Sequence, residues 1–429
     1  MQEVEELQGV YIARTSLQPW VVCFTASLFF FYEFIQGNMF ASIADNIMHD
    51  FHIQADKMNY LSSIFYLSNV IFLFVAGMLL DRFSTKKTLL VTMLLCIVGT
   101  FILAYSHSFY FALISRFMTG IGSAFCFLGP IRLASRWFPP KRMALITGAI
   151  VTMAMTGGML AQYPLTKLVM QMGWRDSMLV VGWLGIAMII GMAFWIKDNP
   201  DGRIEPPHRK ASMLSIAKQA YLNIQTWRAA LYGSLMNMGV AVFGAMMGSL
   251  YLMQRLGVSK EDASMVNSML FLGAIIGGPL IGWCSDKLSL RILPMKLGVL
   301  ASLVTILAIL FLPVSLGAMA ILFFLLGFFT AAQVISYPLV AESSSPTMTA
   351  AAVSIVSILT QGGYIIYQNL FSRLLLWHGE MHMTDGVPVY SLADYQTAAV
   401  ILPVGFCLAL LAVSNLKETH CRQTEDLVG

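Results

Sequence analysis

Two copies of one loop signature lie 205 residues apart, Gly77-x-x-x-Asp81-Arg82-x-Ser84-x-Lys86 and Gly282-x-x-x-Asp286-Lys287-x-Ser289-x-Arg291, each closing a long apolar run. The same offset carries Gly157-Gly158 onto Gly362-Gly363, so one register runs through both halves of the chain. Duplication inside a strongly apolar chain points to a membrane protein of two related halves, the architecture typical of solute transporters.

Composition agrees. Of the 429 residues, 58% are hydrophobic and only 11% charged, less than half the share usual in soluble domains. A span needs about 20 mostly apolar residues to cross a hydrocarbon core of roughly 30 Å. Twelve such runs are present, centred near residues 32, 69, 97, 121, 154, 186, 239, 273, 303, 328, 360 and 405, with no room between them for a soluble domain. Basic residues sort by side: 19 of the 26 fall on the side that carries both termini, while Lys57, Lys167, Arg175, Arg255, Lys260 and Arg373 fall opposite and Arg116 lies inside a span. The positive-inside rule therefore predicts cytoplasmic termini, and the net charge of +4 reflects topology rather than affinity for nucleic acid. The start of the chain carries Glu3, Glu5 and Glu6 and no basic n-region, which argues against a cleaved signal peptide.

The longest polar connection, 197–210, is rich in Pro and charge and falls near the middle; Met213, Ile216 and Ala220 then form an apolar stripe suited to a short interfacial helix. The expected organisation is a bundle over 1–196, a cytoplasmic linker over 197–226 and a second bundle over 227–429. Polarity is uneven among the spans. The third, sixth, ninth and twelfth are almost wholly apolar and suited to lipid, whereas the first, fourth, fifth, seventh, tenth and eleventh carry amides, tyrosines and charges that must face protein or water.

With these residues in hand the chain resembles the major facilitator superfamily over its whole length. The family's cytoplasmic motif, Gly-x-x-x-Asp-Arg/Lys-x-Gly-x-Arg/Lys, is matched by Gly77, Asp81, Arg82, Lys86 and Lys87, with a second copy at Gly282, Asp286, Lys287 and Arg291. Ser84 and Ser289 stand where the family has Gly, which predicts a turn less left-handed than usual. The resemblance implies an all-α membrane protein of twelve transmembrane helices in two pseudo-symmetric six-helix bundles, in the bacterial inner membrane. It also implies that the motif charges latch helix ends in the outward-facing state and release as the halves rock.

Glu33 sits near the centre of the first span, where a carboxylate costs about 2.5–3.5 kcal/mol even on lenient insertion scales. Arg116 belongs to SRFMTGIG, which resembles the family's Arg-x-x-x-Gly-x-Gly motif, tied to proton coupling, through Arg116, Gly120 and Gly122. The two lie at comparable depths, so an ion pair between their helices is geometrically open. Burial and a facing guanidinium act in opposite senses on the carboxyl, leaving a group able to exchange a proton. Two other readings stay open: a purely structural pair, and an Arg116 that clamps a solute carboxylate through two parallel hydrogen bonds. Further candidates for solute contact recur at helical spacing: Tyr32 and Gln36 beside Glu33, Asn237 in the seventh span, Gln333 and Tyr337 in the tenth, and Gln361, Tyr364 and Gln368 in the eleventh. Amides and phenols beside one cation and one anion suit a small polar solute.

The sequence carries no His-Glu-x-x-His, Cys-x-x-Cys, Gly-x-Ser-x-Gly or Walker A loop, so neither enzyme chemistry nor a cofactor is expected. His49, His52, His378 and His382 in outer loops are too few to define a metal site. The expectation is a monomeric, proton-coupled transporter whose partners are a small polar solute, protons and the bilayer. Import is the favoured direction, and the texture of the first helix, PWVVCFTASLFFFYEF, is similar to phagosomal nutrient transporters of intracellular gammaproteobacteria, which makes an amino acid or related nutrient the solute class. Efflux of a metabolite, siderophore or drug, and a transport-inactive nutrient sensor, are the alternatives.

Overall fold

The computed structural model describes residues 17–138, 143–199, 223–344, 349–378, 382–384, 387–389 and 390–422. Among them the helices group into twelve rods. The first half holds α1 (Gln18–Asn38, then Phe40–Phe51), α2 (Ala55–Arg82), α3 (Thr85–Tyr105), α4 (Phe109–Ser123, then Leu128–Trp137), α5 (Met143–Leu160, then Tyr163–Met172) and α6 (Trp174–Trp195). The second holds α7 (Ile224–Met236, a π-helical turn Val240–Met247, then Gly248–Leu256), α8 (Lys260–Leu288) and α9 (Ile292–Phe311). It continues with α10 (Leu316–Thr330, a 3-10 turn Ala331–Ile335, then Ser336–Glu342), α11 (Thr349–His378) and α12 (Leu392–Ala399, then Ile401–Ser414). Nine of these rods are long and apolar enough, among the described residues, to cross a bilayer. A three-residue antiparallel strand pair, His382–Thr384 with Val387–Val389, links α11 to α12. The expected interfacial helix at 213–220 lies outside the described residues, and α7 begins at Ile224, inside the stretch expected as linker.

The duplication is visible in the packing. In the first half α1 packs on α5 and α6, α2 on α4, and α3 on α4 and α6; in the second α7 packs on α11 and α12, α8 on α10, and α9 on α10 and α12. The halves meet through α2 against α11, α5 against α8, and the far part of α1 against the π turn of α7, which is the same scheme under exchange of halves. Rods α3, α6, α9 and α12 are left outermost and present Val91, Trp183, Phe194, Val304 and Leu411 to the surroundings, as apolar helices built for lipid should. Many polar residues of the other eight are buried, among them Gln36, Asn69, Arg116, Gln162, Asn267 and Gln368. Small residues set the close crossings: a Cβ at Gly120 would run into the Phe65 carbonyl of α2, and one at Gly327 into the Leu270 carbonyl of α8. Gly157 and Gly363 repeat the pattern, against the Phe31 carbonyl and Ser234.

The two halves also share a capping device at the end that carries the termini. Asp198, just past α6, accepts hydrogen bonds from Ser84 Oγ and from the Lys86 backbone N–H at 2.9 Å, while Glu418, past α12, accepts from the backbone N–H groups of Arg291 and Ile292 at 2.8 and 2.9 Å. Each acid satisfies orphan donors at the start of the third helix of its half, where the helix dipole also favours negative charge. Burial opposes ionisation of Glu418, but the backbone N–H groups it accepts outweigh that and hold its carboxyl below the usual range.

At the opposite, far end Asp50 ties the close of α1 to the start of α6, pairing with Arg175 and accepting from Trp174 Nε1 at 2.7 Å; Arg175 in turn donates to the Ser106 carbonyl at 3.0 Å. Partial burial pushes the Asp50 carboxyl up, yet Trp174 and Arg175 outweigh it and its pKa lies below the ordinary value. A carboxyl with a depressed folded-state pKa stabilises the fold above its unfolded pKa and loses that contribution as pH falls through the folded value. Thermal unfolding followed between pH 7 and 3 should therefore show a drop at the acid end that is smaller in Asp50→Asn, with the variant's melting temperature already lower at pH 7; parallel curves would contradict the assignment.

Candidate functional site

Glu33 and Arg116 are both buried, at 3% and 0% exposure, yet they do not bond to one another: no nitrogen of Arg116 lies within ion-pair distance of the carboxyl. The ion pair that comparable depths left open is thus not formed, and helix direction explains why. Side chains lean toward the N-terminus of their own helix. Because α1 and α4 run oppositely, Arg116 leans to the far end, where Nε donates to the Leu61 carbonyl of α2 at 3.3 Å, and Glu33 leans the other way, beside Cys96 and Ser123. Both carboxyl oxygens of Glu33 and both terminal nitrogens of Arg116 lack a hydrogen-bond partner in the protein. The guanidinium carbon lies 4.8 Å from the Phe40 ring centroid and 4.4 Å from that of Phe65. Two aromatic rings therefore hold the cation through its π surface and leave its two terminal nitrogens unused.

From Arg116 a row of aromatic rings leads to the other half. Phe65 meets Tyr66 edge-on at 5.0 Å, Tyr66 lies 4.5 Å from Tyr364 of α11, and Tyr337 of α10 neighbours Tyr364 and sits against Ser357 and Thr360. Tyr66 also donates to the Gly37 carbonyl at 3.1 Å, just before the break in α1 at Met39. Of the residues expected from sequence, Arg116, Tyr337 and Tyr364 are joined along this row. Gln333 and Gln361 are half-buried, and Asn237 is buried with its Oδ1 unbonded at the end of the first segment of α7.

Three expected solute contacts point elsewhere. Tyr32 packs against Gly185 of α6, and its hydroxyl meets Thr100 Oγ1 of α3 at 2.9 Å; Gln36 Nε2 donates to the same oxygen at 2.9 Å. Since Thr100 gives its own hydrogen to the Cys96 carbonyl, Tyr32 must be a donor there too, and both side chains are fixed on α3 rather than turned to the second half. Gln368 donates to the Ala241 carbonyl within the π turn of α7 at 2.9 Å. Periodicity identified these residues as polar and buried but could not tell a helix-to-helix bond from a surface facing the interior.

The structure adds most in the second span, where the sequence alone names no solute contact. Asn59, Ser62, Ser63, Tyr66 and Asn69 are all buried along α2 at spacings of three and four. Asn69 Nδ2 donates to Ser123 Oγ at 2.6 Å, Ser63 Oγ accepts from Asn369 of α11 at 3.0 Å, and Asn59 Oδ1 and Ser62 Oγ have no partner in the protein. The i, i+3, i+4, i+7 polar stripe was the available signal.

At the terminal end the motif residues hold their own half together. Arg291 donates to both oxygens of Glu342 at 2.6 and 3.2 Å, to Asp286 at 2.6 Å and to Ser285 at 3.0 Å, so burial of the guanidinium is more than offset by its carboxylates and its pKa is raised. Lys287 lies over the Trp283 ring at 4.8 Å, and Gly77 and Gly282 have open space around them. The side chains of Asp81 and Arg82 lie outside the described residues; Lys86 contributes its backbone N–H to Asp198, and Lys87 its own to Ser84. The two serines differ: Ser84 is the N-cap of α3 with φ −54°, whereas Ser289 is left-handed at φ 52°, correcting the expectation of a less left-handed turn in the second copy.

A twelve-rod, two-half bundle that buries an unpaired carboxyl and guanidinium is the fold of a membrane transporter. The chain belongs to the Major Facilitator Superfamily, whose family model matches residues 23–245 and again 229–420. Among curated relatives it is similar to the membrane sensor protein UhpC of Salmonella typhimurium, 26% identical over 89% of each chain. It also resembles a probable sulfoacetate transporter SauU of Cupriavidus necator (23% identical, 62% of this chain and 64% of that one) and the hexuronate transporter of Bacillus subtilis (23%, 59% and 61%). A solved bacterial homologue of the human lysosomal transporter Spinster, in an inward-facing and unoccupied conformation, shares the fold with a TM-score of 0.71 at 18% identity, covering 93% of this chain and 98% of that one.

Arg116 is held by one hydrogen bond to Leu61 and by the Phe40 and Phe65 rings rather than by a carboxylate, and replacing it with an apolar side chain of similar length trades those contacts for relief of the desolvation cost of its charge. Arg116→Met should therefore leave the melting temperature close to that of the wild type in detergent thermal-shift measurements, the cation–π contacts of about 2 kcal/mol being offset by relief of the buried charge. A loss of several degrees would mark Arg116 as a structural residue instead.

Proposed function

We propose that the chain is a secondary active transporter that imports a small carboxylate-bearing solute, with an amino acid or related nutrient as the class that fits best, by alternating access coupled to protons at Glu33. The observation that carries this reading is the orphaned edge of Arg116, two terminal nitrogens with no acceptor in the protein, held between the Phe40 and Phe65 rings. A planar carboxylate is the complement of such an edge, accepting two parallel charge-assisted hydrogen bonds. Relatives named for sulfoacetate and hexuronate transport are named for anionic solutes, which supports the same chemistry. Tyr66, Tyr337 and Tyr364, with Asn237, Gln333 and Gln361, supply the remaining polar and aromatic surface from both halves.

Glu33 is the second half of the reading. An ionised carboxyl with no donor on either oxygen is costly in a dry interior. Exchange of a proton there, as an anion reaches or leaves Arg116, would keep the charge of the interior balanced through the cycle. With the basic-rich terminal end in the cytoplasm, the polar bonds that join the halves close the outer side, and the motif residues Asp81, Arg82, Lys86, Lys87, Asp286, Lys287 and Arg291 are the groups that would form a cytoplasmic latch when that side opens.

The match to UhpC over 89% of the chain favours a second reading, a sensor that binds the same solute without moving it. Proteoliposomes separate the two. In a pH-jump experiment on a panel of labelled amino acids and small carboxylates, the wild type should accumulate its solute uphill, and Glu33→Gln should lose that accumulation while retaining solute exchange. Uphill uptake unchanged in Glu33→Gln would remove that residue from coupling, and a solute that stabilises the protein but never crosses would establish the sensor.

A further inference from the structure

The far end is where the halves are joined, by two layers of contact. Near the surface, Lys260 donates to both oxygens of Asp45 at 2.7 and 2.8 Å and to Asn46 at 3.2 Å, while Glu261 accepts from Tyr163 at 3.0 Å and lies 3.6 Å from Lys167. Beneath this rim three side-chain amides converge on the π turn of α7, whose residues Val240–Met247 are all buried. Gln368 of α11 donates to the Ala241 carbonyl at 2.9 Å, Asn267 of α8 to that of Phe243 at 3.0 Å, and Gln162, from the break in α5, to that of Gly244 at 2.8 Å. Asn267 Nδ2 also donates to Gln162 Oε1 at 2.6 Å. A π turn departs from the regular i→i+4 ladder, and carbonyls displaced from it need other donors.

Only Gln162 of these three comes from the first half. Its reach depends on a local break: backbone φ −90° and ψ −110° interrupt α5, and Ser42 of α1 donates to the Ala161 and Gln162 carbonyls at 2.6 and 3.1 Å, fixing the broken segment. Gln162 and Asn267 are both 0% exposed. The rim pairs keep access to solvent, which screens them, whereas hydrogen bonds in a dry interior are stronger and costly to leave unmade.

We propose that Gln162 is the latch that keeps the far end shut, and that the π turn of α7 is the element it holds. Parting the halves strips Gln162 from Gly244 and from Asn267, leaving the turn with an unmatched carbonyl, so gate opening and loosening of α7 are one event. The rim steers and registers the closure but does not hold it. This inference rests on the alternating-access reading above.

The test compares Gln162→Leu, Gln162→Asn and the rim variant Asp45→Asn in the full-length protein in nanodiscs. Hydrogen exchange should be at least tenfold faster over 240–248 in both Gln162 variants, with exchange in α9 and α12 unchanged, and near wild type in Asp45→Asn. Spin labels at Tyr105→Cys and Phe311→Cys, both exposed at the far end, placed in a background with Cys284, Cys407 and Cys421 changed to serine, should show a second, longer separation in the Gln162 variants. Unchanged exchange and separation in both Gln162 variants, or opening in Asp45→Asn alone, would overturn the proposal. If no solute or pH shifts the wild-type separation, alternating access itself fails, and the exchange comparison still decides the latch.

Discussion

A charge inside a bilayer must be shielded from lipid, and the architecture of this chain follows from that requirement. Arg116 and Glu33 are tolerated because neighbouring helices of the first half bury both side chains, while the apolar rods α3, α6, α9 and α12 present their outer faces to hydrocarbon. What the enclosure does not do is pair them. Opposite helix directions carry the two side chains apart, toward Leu61 and Ser123, so each keeps unused hydrogen-bonding capacity. A protein under selection for stability alone would have joined or removed them. Keeping both apart leaves each with hydrogen-bonding capacity that the protein itself does not use.

The duplicated halves turn this interior into a machine with two ends. The same scheme of contacts recurs in each half, down to the acid that caps the start of its third helix, Asp198 in one and Glu418 in the other. Polar bonds between the halves described here lie at the far end, from the Asp45–Lys260 rim through the Gln162–Asn267 amides to Ser63–Asn369. At the terminal end the Arg291 cluster bonds Asp286, Glu342 and Glu418, all of its own half. Rigid halves tied at one end are the structural condition for rocking about a central site.

Much of this was legible in the sequence because it follows from periodicity and cost. The 205-residue repeat, the apolar third helix of each triplet and the isolated charges at 33 and 116 are statements about burial, and burial follows from composition. Direction was harder. Whether Gln36 meets a solute or Thr100, and whether Gln368 faces the interior or the Ala241 carbonyl, turns on helix rotation and on breaks such as those at Met39, Gln162 and the α7 π turn. Only the break at Gln162 is marked by proline, Pro164 in the first turn of the segment that follows it. The polar stripe of α2 was readable at spacings of three and four, but serines and asparagines scattered through an apolar run give a weak signal until the partners on α4 and α11 are in place.

The central claim is that the interior presents an unpaired guanidinium to an anionic solute. Counterflow in proteoliposomes, comparing labelled amino acids and small carboxylates with uncharged sugars and lipophilic cations, addresses it most directly. The account predicts exchange confined to carboxylate-bearing solutes and abolished when Arg116 is methionine; exchange of uncharged or cationic solutes that persists in that variant would contradict it.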